Sequence, residues 1–396
     1  MHERGWRLLV LVTLISSASA LSAPITLKLA WKAYSVEGLA YSSCISPPYV
    51  YVVGYAANGS AHATRVEARR ITDGSLVKSA SLGPGVLYSC AVYSGKIFVG
   101  GMDADGKWLI AVLGKNLDLE NSVKGVKGYV SSLVIMDGKL YASGFSAITV
   151  KVRVEKRDPT TLSLEASYEA LAPNTYAFAS TASGGSLWVV GSAFTSGGFV
   201  WRVERLDPNL SPVFILRPPV TGHAYSVSAG GLVFVTGPNG TIALNDNGEV
   251  ISKQGFGGDK LVVEKDVVAV FSGSGKPQVH FFNATTLFPI GNISLSDYEG
   301  VHSFGTSSSL NGLYIFAGAV RQSNVTVWAI YAVNATRAQI TTQTALPGTA
   351  SSNSTAKKPE APTAQPVQIF DYLTPALMLG GIVLALIMAR RKRKRR

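Results

Sequence analysis

The chain has 396 residues, with 36 Lys and Arg against 24 Asp and Glu, a net charge of +12, 47% hydrophobic residues and only two cysteines. Outside residues 1–20 and 390–396, 27 basic residues face 23 acidic ones, so the charge is concentrated at the ends and gives no argument for nucleic-acid binding. Two lone cysteines exclude a paired-cysteine metal site, and the length is ample for a large buried core.

The first residues carry Arg4 and Arg7, an apolar run Leu8–Ile15 and then Ser16-Ser17-Ala18-Ser19-Ala20, the layout of a secretory signal peptide cut near Ala20 or Ala23. Residues 1–23 are therefore read as signal peptide, the apolar run being too short to span a bilayer well. Ile25–Trp31 then alternates apolar and polar residues as a strand does, and it resembles the last strand of a repeat more than the first. It is expected to close a ring by pairing near the C-terminal end of the domain, a place for which Gln339–Ala345 competes.

From here a pattern recurs: a tight turn, a short alternating strand and a closing glycine. Its clearest copies are Asp137-Gly138-Lys139-Leu140-Tyr141-Ala142-Ser143-Gly144, Ser94–Gly100, Gly185–Gly191 and Asn311–Gly318, with looser copies ending at Gly54, Gly237 and Gly273. The seven copies are spaced by 46, 44, 47, 46, 36 and 45 residues. A period near 45 built of short strands predicts a β-propeller of four-stranded blades. Inner strands such as Tyr88–Tyr93, Tyr129–Met136 and Tyr225–Ala229 precede each hairpin. A second series of turns alternates with the first: Asp73-Gly74-Ser75, Asp118-Leu119, Asp158-Pro159-Thr160, Asp207-Pro208-Asn209, Asn245–Gly248, Asn283-Ala284-Thr285 and Asn334-Ala335-Thr336. Asp and Asn cap such turns through their side chains, while Pro and Gly set their dihedrals.

With these strand ends, the chain over residues 25–345 resembles the quinoprotein-like and tryptophan–aspartate-repeat propellers, in architecture alone. The Trp-Asp dipeptide of one family and the repeated tryptophan motifs of the other are missing, so neither activity is implied. The expected fold is all-β, a seven-bladed propeller over residues 24–345, with one C-terminal transmembrane helix.

Beyond the repeats, residues 346–371 are rich in Ala, Thr, Ser and Pro, the composition of an extended stalk. Residues 372–389 hold the uncharged run Leu373–Ala389, a single transmembrane helix retained in the membrane, and residues 390–396 are all Arg or Lys, a cytoplasmic stop-transfer tail. The topology places the propeller outside the cell membrane and the C-terminus in the cytoplasm. Eight asparagines stand in Asn-x-Ser/Thr triplets, namely Asn58, Asn209, Asn239, Asn283, Asn292, Asn324, Asn334 and Asn353, candidate glycan acceptors of an exported protein.

Three groups of residues carry candidate chemistry. Cys44 and Cys90 occupy equivalent places, ten residues before Gly54 and Gly100, where a disulfide and a pair of buried thiols are both open. Tyr41, Tyr88, Tyr129, Tyr176 and Tyr225, with His223, His302 and Phe304, mark the starts of inner strands, where a ring of aromatics either clasps a sugar or peptide or fills space between blades. Glu37, Asp103, Asp259 and Asp297 are carboxylates read as turn or surface residues, and the Asp103–Gly106 and Asn245–Gly248 runs as hairpin turns rather than calcium loops. Catalytic motifs of hydrolases, metalloproteases and nucleotide-binding enzymes do not occur. The sequence thus points to a non-catalytic, membrane-anchored surface propeller binding a protein or glycan through one face of the ring, without cofactor, metal or nucleic acid. The competing readings are a propeller-type glycosidase or quinone-cofactor dehydrogenase, and a structural component of the cell envelope.

Overall fold

A computed structural model describes residues 25–59 and 61–337. The signal-peptide, stalk, membrane-helix and basic-tail expectations, together with Gln339–Ala345 and Asn353, lie outside the described residues. Among the described residues every regular element is a strand, and no helix is long and apolar enough to cross a membrane.

The first meander runs from the second half of β1 (Ile25–Ser46) through β2 (Tyr49–Asn58) and β3 (Ala61–Arg70) to β4 (Leu76–Ala80), each antiparallel to the last. The next uses β5 (Gly85–Tyr93), β6 (Lys96–Asp103), β7 (Lys107–Leu113) and the first half of β8 (Leu119–Met136). β8 then changes sheet: its second half pairs with β9 (Lys139–Ser146), followed by β10 (Lys151–Arg157) and β11 (Leu164–Glu169). Three separate four-stranded sheets follow: β12 (Thr175–Ser183) to β15 (Pro212–Leu216), β16 (Ser226–Gly230) to β19 (Val250–Gln254), and β20 (Lys260–Glu264) to β23 (Pro289–Ser294). In the last unit the inner strand is broken into β24 (Gly300–Val301) and β25 (Ser308–Leu310), both pairing with β26 (Leu313–Gln322), which pairs with β27 (Val325–Arg337).

The first half of β1 supplies that unit's outer strand, paired from Ile25 opposite Arg337 to Glu37 opposite Val327 with register slips between Leu29 and Trp31 and between Tyr34 and Glu37. Ile25–Trp31 therefore closes the ring. Closure leaves no sheet edge between the first and last units of the chain. The buried side chains fall into clusters between neighbouring sheets, such as Cys44, Tyr51, Val66, Leu87, Val99 and Leu109. This is the face-to-face packing of blades around an axis.

The second series of turns forms as the sequence suggests except at its last member: Asn334-Ala335-Thr336 lies within β27, paired with Lys28, Leu27 and Thr26 of β1, because the closing N-terminal strand extends the ladder there. Asp73, Asp158, Asp207, Asn245 and Asn283 each accept backbone N–H groups from residues two to four positions on. Hydrogen bonding to the ionised form lowers two of these carboxyls below the usual range: Asp73 through the Ser75 side chain and then its N–H, and Asp158 through the Thr161 and Thr160 N–H groups. Asp103 closes the β6–β7 hairpin by accepting N–H bonds from Asp105 and Lys107, each at 2.9 Å.

Candidate functional site: the axial channel

A bulge recurs at one place in the inner strands. Register slips between Ala40 and Ser42, Leu87 and Ser89, Val130 and Ser132, and Ala177 and Ala179, so Tyr41, Tyr88, Ser131 and Phe178 are the extra residues. A bulge re-aims its side chain out of the pleat. Opposite each bulge stands the repeat's closing glycine, and the reason is steric. A Cβ on Gly54, Gly101, Gly144 or Gly191 would lie 2.0 Å or less from a carbonyl oxygen of the facing inner strand. The second repeat is thus closed by Gly101, one residue later than the spacing suggests.

Counted back from these glycines, one ring of positions emerges: Tyr41, Tyr88, Ser131, Phe178, Tyr225, Lys260 and Phe304 each precede their glycine by 12 to 14 residues. The aromatic members meet. Phe304 has its ring centroid 5.3 Å from Tyr41, 5.5 Å from Tyr88 and 5.3 Å from Phe178, and Tyr41 and Tyr88 stand 4.9 Å apart. Tyr225 packs edge-on against Phe178 at 5.4 Å. Phe304 rides on the break between β24 and β25, where Gly305 has φ +133° and a Cβ would come 2.4 Å from the Tyr41 carbonyl. These rings plug the axis.

The predicted aromatics divide accordingly. Tyr41, Tyr88 and Tyr225 belong to the plug, whereas Tyr129 and Tyr176 lie two residues before the bulge and form an outer belt. That belt runs Tyr88–Tyr129–Phe145–Tyr176–Phe199–His223 with centroid spacings of 4.5 to 5.9 Å. His223 shares its Nδ1 with the buried Ser192 hydroxyl at 2.9 Å, and burial lowers its pKa to about 4, so it is neutral at physiological pH. Burial also raises the Tyr41, Tyr88, Tyr129 and Tyr225 hydroxyls above the usual phenol range.

Lys260 is the ring's one cation. It is wholly buried, and its Nζ donates to the carbonyls of Tyr41 and Ala317. Burial lowers its pKa to about 7, against an opposing pull from Asp259. Asp259 is also buried, which corrects its reading as a turn or surface residue: one oxygen pairs with His302 Nδ1 at 2.7 Å and the other accepts the Gly273 N–H at 2.7 Å. Glu37 and Asp297 are exposed.

Beyond the plug, at the other ends of the inner strands, the axis opens into a cavity of about 430 Å³. Every inner strand contributes to its wall, which is made of Ser and Thr, aliphatic side chains and Cys44 with Cys90. Those two sulfurs are bonded in the structure, their Cα atoms 5.9 Å apart. Serines stitch the wall together. Ser89 accepts the Leu133 N–H, Ser132 that of Ser180, Ser226 that of Leu261 and Ser228 that of Val263, at 2.9 to 3.2 Å. Ser42 and Ser43 join Thr306 and Ser308 through hydroxyl pairs of 2.6 and 2.9 Å across the closing blade. The signal for this ring was the serine following or near each inner-strand aromatic, as in Tyr41-Ser42-Ser43, Tyr88-Ser89 and Tyr225-Ser226.

A second set was legible only as an unremarked repeat. Arg65-Val66-Glu67, Arg153-Val154-Glu155 and Arg202-Val203-Glu204 share a place on the third strands. Each glutamate is buried and paired with arginine, Glu67 with Arg65 and Arg69 at 2.7 Å, Glu155 with Arg153 and Arg157 at 2.8 and 2.6 Å, and Glu204 with Arg202. Of the sequon asparagines, Asn209, Asn239, Asn292, Asn324 and Asn334 are exposed, and Asn283 is half-buried with its side-chain oxygen in a turn. The Asn58 side chain lies outside what is described.

Antiparallel meanders set round a plugged axis, with the N-terminal strand closing the ring, define a β-propeller. No protein-family model and no curated protein matches the sequence. Among solved structures the chain is similar to the WD40 repeats of RRP9, with TM-score 0.57 and 12% identity over 79% of this chain and 99% of that one. It is also similar to the Pan2 WD40 domain of Neurospora crassa (TM-score 0.52, 6% identity, 77% and 95% covered). A third is the quinohemoprotein alcohol dehydrogenase ADHIIG of Pseudomonas putida HK5 (TM-score 0.50, 11% identity, 87% and 80% covered). Identities this low speak for the fold alone.

Proposed function

We propose that the chain is a seven-bladed propeller held outside the cell by residues 372–389, glycosylated on exposed turns, which binds a protein or glycan partner through one face of the ring without catalysing a reaction. The observation that carries this reading is the asymmetry of the axis. The aromatic end is filled by its own rings, and the opposite mouth leads into a cavity walled by hydroxyls and aliphatic groups. Such walls offer hydrogen bonds and apolar contact and no group for acid–base or nucleophilic work. The charged and basic side chains of the axis are engaged at the plug: Lys260 donates to the Tyr41 and Ala317 carbonyls, and Asp259 holds His302 and the Gly273 N–H.

The test places a photoreactive residue in the full chain on intact cells, either at Ser309 in the cavity wall or at Phe194, 55% exposed at the aromatic end. Capture from Ser309 and not from Phe194 is expected. Equal capture from both positions, or capture from Phe194 alone, refutes a single binding face at the cavity mouth.

A further inference from the structure

Resting on the reading of one open face, we propose that the axial cavity is a binding site for an uncharged, polyhydroxylated ligand, the terminus of a neutral glycan. The inner strands are edges. β12, β16 and β20 each end their sheet and pair on one side only, so their axis-facing N–H and C=O groups lie outside any ladder. Serine hydroxyls take a few of these groups, as described. The wall carries the hydroxyl residues Ser180, Thr181, Ser228 and Ser309, and a hydroxyl can both donate to and accept from those of a sugar.

Charge argues in the same direction. No residue of the cavity wall is ionisable, its two cysteines being bonded to each other, so a carboxylate or ammonium entering it loses its water and meets no counter-ion. The aliphatic residues of the wall that keep some exposure, Ile45, Val92, Val134 and Ile135, supply apolar surface for the C–H faces of a sugar ring. The volume of about 430 Å³ falls among small-ligand sites and is too confined for a folded partner.

The experiment uses the full chain in amphipol, since glycoside detergents are themselves sugars. Neutral hexoses and N-acetylhexosamines, with a hexuronate and a hexosamine as charged counterparts, are titrated calorimetrically. At least one neutral sugar is expected to bind, its charged counterparts about tenfold or more weaker, and Ser309→Trp, which places a large ring in the cavity wall, to abolish that binding. On unaltered protein, the bound sugar is expected to slow reduction of Cys44–Cys90 by dithiothreitol, because that bond lies in the cavity wall. Equal binding of the charged sugars, or neutral binding that persists in Ser309→Trp and leaves the reduction rate unaffected, overturns the proposal. If no sugar binds while Ser309 captures a protein, the glycan inference falls and the single-face reading stands. If neither is seen, both fall.

Discussion

Cutting the Cys44–Cys90 bond is the perturbation whose effect follows most directly from the structure. The bond joins the inner strands of the first two meanders across a sequence separation of 46 residues. In the chain-entropy account a loop of that length confines the unfolded ensemble by about 4 kcal/mol. Scaled to a domain of about 300 residues, that is a fall of roughly 6 °C in unfolding midpoint. The folded state loses little, since Cys44 and Cys90 sit among Tyr51, Val53 and Leu87, in contacts that do not depend on the bond. Thermal unfolding of the full chain, oxidised and after reduction under native conditions, is the assay, with intact mass before and after alkylation to count thiols. The Cys44→Ala, Cys90→Ala double variant is expected to match the reduced protein, with about 1 kcal/mol more lost from packing. Two alkylated cysteines without reductant, or equal midpoints for oxidised and reduced protein, would refute the reasoning.

Three other outcomes are expected. Glu67→Ala strips the buried Arg69 of its carboxylate, leaving Arg69 one hydrogen bond to the Gly74 carbonyl, and should lower stability by about 3–5 kcal/mol in urea titrations, whereas an exposed pair such as Lys78–Asp118 should matter by less than about 1 kcal/mol. Lys260 has a folded pKa of about 7, below its unfolded value, so the unfolded chain binds the extra proton between pH 7 and 10 and Lys260 makes stability rise with pH there. Lys260→Met should remove that slope, about 1.4 kcal/mol per pH unit, and parallel pH curves for the two proteins would show instead that the two carbonyls hold the amine charged. Phe304→Ala should cost about 3–5 kcal/mol by emptying the plug, and it should leave Tyr88 more accessible to nitration; an unchanged nitration rate would count against the plug.

The meanders and their turns could be read from the chain because they are local. Tyr141 and Ser143 alternate with Leu140 and Ala142 as a strand requires, and Asp158 and Asn283 cap their turns within four residues. Closure by Ile25–Trp31 was legible from alternation too, because an outer strand keeps one wet face. The axis was less legible, since its members are set by register. The tyrosines at 41, 88, 129, 176 and 225 look alike in sequence, and only the bulges separate Tyr41 and Tyr88 from Tyr129 and Tyr176. Nothing around Lys260, in Gly257-Gly258-Asp259-Lys260, distinguishes it from a turn lysine. Its burial is decided by strands far away in the chain, those bearing Tyr41 and Ala317.

The pairing of Ile25 with Arg337 has a consequence for synthesis. The first strand to emerge must wait for the last, about 300 residues later, and at roughly 5–20 residues per second that is some 15–60 seconds. Through that interval the first half of β1 is an unpaired alternating strand, open to pairing with another chain. Nascent chains crowded on neighbouring ribosomes would then exchange their first strands, and the yield of correctly closed monomer would depend on how far apart the chains are while they wait.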